Sequence, residues 1–421
     1  MTQKPLTNTL ENKLTPEPSV VTGERIRTGT PAYWRATLAL CLGSFMIFSN
    51  LYVTQPLLPM LASNFHISAL SANWSFTIAT LTLGLSLLFY GPLSDVFGRR
   101  GIMVVTMAGA ILTTLLISQV HSYEWLLILR ALQGLCLGGL PAIAVAYMGD
   151  EFDSHALITA VGFYIGANSL GGISGRLIGG FAGEHLGWSS TFMVIALISL
   201  VIWAGFIYLL PASSHFQARP FHPRQMFANL LEHLRNPMLL PAYLIGGFNF
   251  FVFINQYSYL TFVLEKAPYS LSTQVLGMLF LTYLTGTFGS TLAGRASRYL
   301  AQPLCMALGI VILMTGSLIT LIPALPMIIV GLLINSLGFF FAHATASSWV
   351  SRNAHHARAS ASSLYLVFYY LGASTGGIYL HPFWRWQGWN GVIAGSLLIL
   401  AGTLSTALFL YHRSRRASAA S

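Results

Sequence analysis

NWSFTIATLTLGLSLLFYGPLSDVFGRRGIMVVTMAGAILTTLLISQ, residues 73–119, is two apolar runs parted by a short polar break that holds Asp95, Arg99 and Arg100. Each run has the ~20 residues that an α-helix needs to cross a hydrocarbon core. In that core every backbone N–H and C=O must find a partner within the protein, so the runs are read as helices. The same alternation extends outward in both directions. Spans are predicted at 36–59, 72–91, 101–120, 125–148, 156–180, 189–210, 238–263, 273–293, 303–322, 326–349, 360–380 and 389–411, twelve in all. Period-two alternation is absent, which excludes a barrel and leaves an all-α polytopic membrane protein.

Composition agrees. Charged residues make up 8% of the 421, against about 25% in a soluble protein, while 55% are hydrophobic. A soluble fold of this size could not cover itself with so few charges. The net charge of +10 does not point to nucleic acid, because the basic residues are scattered singly between apolar runs. Cys41, Cys136 and Cys305 lie inside those runs without metal-ligand spacing, so neither a disulfide framework nor a metal site is expected. Trp74, Trp125, Trp188, Trp384, Trp386 and Trp389 fall near span ends, where aromatic belts form.

All but four of the 21 basic residues lie on one side, from Lys4, Lys13 and Arg35 through Arg99, Arg100, Arg219, Arg224, Arg235, Arg295 and Arg352 to Arg416. The other side holds Lys266 and Arg385, and Arg130 and Arg176 lie within spans. Positive residues stay inside, so both termini are expected in the cytoplasm. Residues 1–35 read as a disordered cytoplasmic tail without a cleavable signal, and 412–421 as a short cytoplasmic tail. Between the bundle-forming segments 36–210 and 238–411 runs the linker 211–237. Met226, Phe227, Leu230, Leu231 and Leu234 share one helical face there, which suits either an interfacial helix or a helix packed on neighbouring protein.

The two segments look like repeats about 200 residues apart. FYGPLSDVFGRRG (89–101) aligns with FGSTLAGRASRYL (288–300), GANSLGGISG (166–175) echoes GASTGGIYL (372–380), and Gly187-Trp188 recurs as Gly388-Trp389. Internal repeats of this kind are a recurring plan of secondary transporters, with the substrate bound between them near the midplane.

GPLSDVFGRR (91–100) resembles the G-x-L-x-D-x-x-G-R-[RK] signature of the major facilitator superfamily, through Gly91, Leu93, Asp95, Gly98, Arg99 and Arg100. RALQG (130–134) resembles the R-x-x-x-G element of proton-linked members. GANSLGGISGRLIGG (166–180) and QPLLP (55–59) are similar to motifs of the drug:proton antiporter branch, except that Gly172 stands where that branch usually has proline. The resemblance covers nearly everything after residue 35. It implies two pseudo-symmetric six-helix bundles, a bacterial inner-membrane location, monomeric action, no cofactor, and efflux driven by protons. It also sets Asp95 against the start of span eleven. Asp95, Arg99 and Arg100 stand beside Asp150, Glu151 and Asp153 at the cytoplasmic end of span four, where opposite charges either latch the two helix ends as a gate or merely cap helices at a wet surface. Gly294 replaces Asp95 in the second repeat.

Other candidates come from the residues themselves. A charge inside a span is costly unless it faces a cavity or a partner. Arg130 is therefore read either as a group for substrate or proton coupling, or as an arginine satisfied by carbonyls at a kink. Gln133 shares its face. Arg176 lies on a stripe with Asn168 and either faces the cavity or reaches for the interface near Glu184. Beside it Gly171, Gly175, Gly179 and Gly183 form a ridge for close packing. Further substrate candidates are Asn50 and Gln55 on span one, Asn249, Gln256 and Tyr259 on span seven, Asn335 on span ten, and Tyr365 and Tyr369 on span eleven, amides and phenols that suit sugars or carboxylates and equally suit bonds to neighbouring helices. All eleven acidic residues fall in tails, loops or span ends, which argues for anionic or neutral polar cargo, such as a carboxylate, siderophore or sugar, over cations. His343, a residue type with an ordinary pKa near 6.5, is read either as the proton carrier or as a satisfied packing residue, and Glu265, the next candidate, either as a carrier or as a carboxylate solvated beside Lys266.

No nucleophile–base pair or phosphate-binding loop accompanies these residues, so an enzyme or an ATP-driven pump is not expected. The expected function is a secondary transporter in the lipid bilayer that exports a small organic solute against protons. A proton-symport importer, a multidrug pump, a membrane enzyme and a transport-dead sensor are the alternatives.

Overall fold

The computed structural model describes residues 25–218, 223–354 and 356–420. Most of the expected N-terminal tail, with Lys4, Lys13, Glu11, Glu17 and Glu24, lies outside the described residues, as does Arg219. Among the described residues there are no β-strands, only an isolated bridge between Ile26 and Phe152.

The first helix, α1 (Pro31–Tyr52), starts before the expected boundary at 36, because Thr30 caps it through Tyr33 N and Pro31 occupies its first turn. It stops at Tyr52, short of the expected 59, since Pro56 and Pro59 interrupt the ladder, and the short α2 (Leu58–Asn64) follows. Next come α3 (Ala69–Phe97), α4 (Arg99–Ile117), α5 (Tyr123–Leu137) and α6 (Gly139–Glu151), the last two forming one apolar stretch. The 56-residue α7 (Ser154–Leu209) is broken at Gly187, whose φ of 81° only glycine adopts readily. A second break, at Gln387 and Gly388, divides α14 (Arg358–Ala420). Each is long enough for two crossings.

Between them lie α8 (Pro223–Arg235), α9 (Leu240–Leu264), α10 (Thr273–Met278), a 3-10 segment (Leu279–Leu284), α11 (Thr285–Ala296), α12 (Gln302–Ile319) and α13 (Leu325–Asn353). Nine helices among the described residues are long and apolar enough to cross a membrane, ten if the bent pair α8 and α9 is one span. With α7 and α14 each folded back on itself, this is consistent with twelve crossings. The expected C-terminal tail 412–421 instead continues the last helix to Ala420.

Close packing follows the small residues. A Cβ on Gly171 would meet Phe45 Cα at 2.7 Å, and one on Gly175 would meet Ser49 Cα at 2.6 Å, so these glycines let α7 lie directly on α1. The linker helix α8 is polar on one face and splits its apolar face: Leu230 and Leu234 pack on the core while Phe227 and Leu231 stay exposed.

Candidate functional site

The elements from α1 to α7 meet those from α9 to α14 mainly at the end remote from Arg99 and Arg100. There Gln55 Nε2 donates to Ser258 Oγ at 3.1 Å, Asn73 Nδ2 to Asn255 Oδ1 at 3.4 Å, and Thr273 N to Glu184 Oε2 at 2.8 Å. Nearer the middle, Thr80 Oγ1 is 3.1 Å from Ser374 Oγ. Gly180 lies so close to α10 that an added Cβ would meet Gly277 Cα at 3.0 Å. Toward the basic end, a Cβ on Gly162 or Gly166 of α7 would meet nothing within 4 Å, and α6 and α13 are not a packed pair among the described residues.

Just inside this closure sits Arg176, 1% exposed. Its Nε donates to Gln55 Oε1 at 2.7 Å and its Nη1 to Gly172 O at 2.9 Å. Three rings surround the guanidinium, Tyr52 at 3.9 Å, Phe280 at 4.5 Å and Tyr283 at 4.7 Å from Cζ. A desolvated cation gains ~2 kcal/mol or more from such a face, which offsets part of the cost of burying it. Nη2 and the Tyr283 hydroxyl are buried without hydrogen-bond partners among the described residues. The arginine comes from the first repeat, whereas Phe280 and Tyr283 come from the 3-10 segment of the second.

Arg130 is placed differently. Its Nε donates to Ser75 O at 2.8 Å, Nη2 to Leu51 O at 3.2 Å, Nη1 to Asn50 O at 3.4 Å and also to Gln133 Oε1. From Gln133 the network runs to Thr114 Oγ1 (2.6 Å), and thence to Asn50 Oδ1 (2.8 Å), while Asn50 Nδ2 reaches Ser199 (2.8 Å). Arg130, Gln133 and Asn50 thus tie spans together, with the arginine satisfied largely by carbonyls. The second repeat has a matching cluster, where Gln256 Oε1 accepts from Ser317 Oγ at 3.1 Å and from Asn335 Nδ2 at 2.9 Å. Asn168 accepts from Ser44 Oγ, Asn249 from Thr403 Oγ1 at 3.0 Å, and Tyr259 donates to Gly377 O at 2.9 Å.

His343 stands 2.8 Å through Nδ1 from the Tyr365 hydroxyl, its ring against Phe339 and Tyr369. Glu265 caps α9 in an exposed position beside Lys266. Loss of part of its hydration raises its carboxyl from the ordinary value, opposed by Lys266. At the basic end Arg99 holds Asp95 at 2.6 Å and Asp150 at 2.9 Å, and donates to Ser94 Oγ at 2.8 Å. Arg100 donates to Ile207 O at 2.8 Å and Leu210 O at 3.2 Å, and Asp153 caps α7 through Ala156 N. These hydrogen bonds and ion pairs stay within residues 94–210, and Arg99 Cζ also lies 5.9 Å from the centroid of the Phe216 ring at the start of the linker. The only deeply buried acid among the described residues is Glu151, which pairs with His215.

The aromatic cage was not legible in the sequence. Tyr52, Phe280 and Tyr283 are ordinary residues in apolar runs, and only the folding of the 3-10 segment onto α7 brings them to the arginine. The one available signal was Tyr52, three residues before Gln55 on the same span.

Residues 40–377 match the model of the Major Facilitator Superfamily. The chain is 37% identical over 388 residues to the inner membrane transport protein YnfM of Escherichia coli, spanning 92% of this chain and 93% of that one. It is 36% identical over 368 residues to a Bacillus subtilis protein described as the uncharacterized MFS-type transporter YybF, covering 87% and 91%. Its fold is similar to that of a bacterial homolog of the human lysosomal transporter Spinster, with a TM-score of 0.70 at 16% identity over 90% of this chain and 96% of that one. The many apolar helices, the match over most of the length and the likeness to whole relatives lead to one conclusion: the chain belongs to the Major Facilitator Superfamily and is a multi-pass membrane transporter of small molecules, not an enzyme.

Proposed function

We propose that the chain is a proton-coupled exporter of a small organic solute, anionic or neutral and polar, which it binds at Arg176. The bundles 36–210 and 238–411 rock about this point, joined by the linker 211–237. The basic end faces the cytoplasm of a bacterial inner membrane, with both tails on that side and a monomer as the working unit. The described conformation then has its outer side closed and its cytoplasmic side parted, ready to load from within.

One observation carries the reading. Arg176 is a buried cation, between the two repeats, with an unused donor and, among the described residues, no carboxylate beside it. A cationic drug would be repelled there, whereas a polar oxygen would supply the missing acceptor. Gln55 gives the site a link to gating, since it accepts from Arg176 and donates to Ser258 of the other repeat. His343 hydrogen-bonded to Tyr365 is the proposed proton carrier, because it is a titratable group among the spans with a polar partner.

The test is a thermal-shift screen of purified protein against matched anionic, neutral and cationic solutes, since a ligand bound only by the folded state raises apparent stability. Hits are then followed as uptake into proteoliposomes with an imposed proton gradient. Stabilisation and proton-driven uptake by anionic or neutral solutes, both lost in Arg176→Ala, are expected. Stabilisation by cations alone, unchanged in that variant, overturns the reading.

A further inference from the structure

We infer that the ligand of this site is a monocarboxylate that bridges the repeats, one oxygen taking the free Nη2 of Arg176 and the other the free hydroxyl of Tyr283. This rests on the reading of Arg176 as the substrate site and narrows it to one chemical class. Both groups are buried and both lack partners. A buried donor is costly to leave without an acceptor, and two such donors on a guanidinium and a ring whose centroid is 4.7 Å from its Cζ point to a shared missing acceptor. A carboxylate has two oxygens with lone pairs to spare and accepts from both at once.

Charge sets the valence. Among the described residues no acid contacts Arg176, so the site carries one uncompensated positive charge. A monoanion brings it to neutrality. A dianion leaves a net negative charge in a low-dielectric setting, and a neutral amide forfeits the charge-assisted bond that is roughly twice as strong as a neutral one. The rings of Tyr52, Phe280 and Tyr283 leave the surroundings of that carboxylate apolar and suit a short hydrocarbon body.

The structure also supplies a place for adjustment. Tyr283 and Phe280 lie on the 3-10 segment Leu279–Leu284, whereas the corresponding span of the first repeat, α3, runs without such a break. A stretch of 3-10 geometry inside a span commonly marks a hinge. Winding toward α geometry there would swing Tyr283 relative to the guanidinium. Because Tyr283 belongs to the second repeat and Arg176 to the first, the bound carboxylate would itself cross-link the two.

The experiment is a titration of the full-length protein in detergent with butyrate and benzoate, against butyramide and benzamide, and against succinate and phthalate. Wild type, Arg176→Ala and Tyr283→Phe are compared. Removing an unpartnered hydroxyl should leave folding intact, so Tyr283→Phe reports on the ligand alone. The expected result is saturable stabilisation by the monocarboxylates, abolished in Arg176→Ala and weakened about fivefold to tenfold in Tyr283→Phe, with amides and dicarboxylates at least tenfold weaker. Arg176-dependent binding in which amides or dicarboxylates match the monocarboxylates, or in which Tyr283→Phe is unchanged, overturns this inference and leaves the Arg176 site standing. Binding indifferent to Arg176 overturns both, and the absence of monocarboxylate binding overturns the inference.

Discussion

Two buried arginines in this chain are held in opposite ways, and their variants should behave differently. Arg130 spends its donors on the carbonyls of Ser75, Asn50 and Leu51 and on Gln133. Arg130→Ala leaves those buried acceptors unserved and should cost on the order of 3 kcal/mol, read as a lowered melting temperature with or without solute. Arg176 spends fewer, and its cage is closed by rings that can pack on one another. Arg176→Gln should therefore keep a near-normal melting temperature while losing solute-dependent stabilisation. Equal destabilisation by the two variants would remove the distinction. That Arg176 and Arg130 both needed a partner was legible from their placement in apolar runs. Which one retained a free donor was not, because that depends on carbonyls exposed at the breaks near Tyr52, and hydropathy does not register such breaks.

Helices carry the next level of detail, and here the sequence was most informative. Most span ends match within a few residues, since proline, glycine and polar clusters mark where a helix must stop. The glycines of α7 divide by what they touch. Gly171 and Gly175 rest on the backbone of α1, whereas Gly180 rests on α10 of the other repeat. Gly171→Leu should impair folding outright. Gly180→Val should fold but keep the outer side from closing, seen as faster reaction of a cysteine placed at Gln274 with a membrane-impermeant thiol reagent and at least tenfold slower transport.

On α8, His233 is buried and its Nε2 lies 3.3 Å from Ala357 O, its ring stacked on His356. Burial holds its imidazole below the ordinary value, with His356 adding to that and Ala357 O and Glu232 opposing it. The unfolded chain then takes up the proton first, so this contribution is complete above about pH 6.5 and declines as pH falls below it. The melting temperature should drop on acidification from pH 7 to 5, and less steeply in His233→Gln; parallel curves would show that His233 is not the cause.

For the molecule as a whole, the hydrogen bonds between the repeats gather at the end remote from Arg99, and the charges at the basic end hold the first repeat together. Asp95 and Asp150 share Arg99 there. Asp95→Asn should slow turnover severalfold with little change in solute affinity, and lost affinity at normal turnover would contradict it. The linker between the repeats has a further mechanical meaning. Its start is pinned to the first repeat, where the Tyr147 hydroxyl donates to Pro211 O at 3.0 Å and His215 N donates to Glu151 at 3.0 Å. Its helix is pinned to the second through His233, Leu230 and Leu234. Phe216 also lies against the first repeat, with Arg99 Cζ 5.9 Å from its ring centroid, and the seven Cα steps from there to Pro223, at no more than ~3.6 Å each, bound the distance between the two anchorages at roughly 25 Å. The linker is thus a leash of set length at the mouth of the molecule: it limits how wide the two halves can gape, whatever the solute between them.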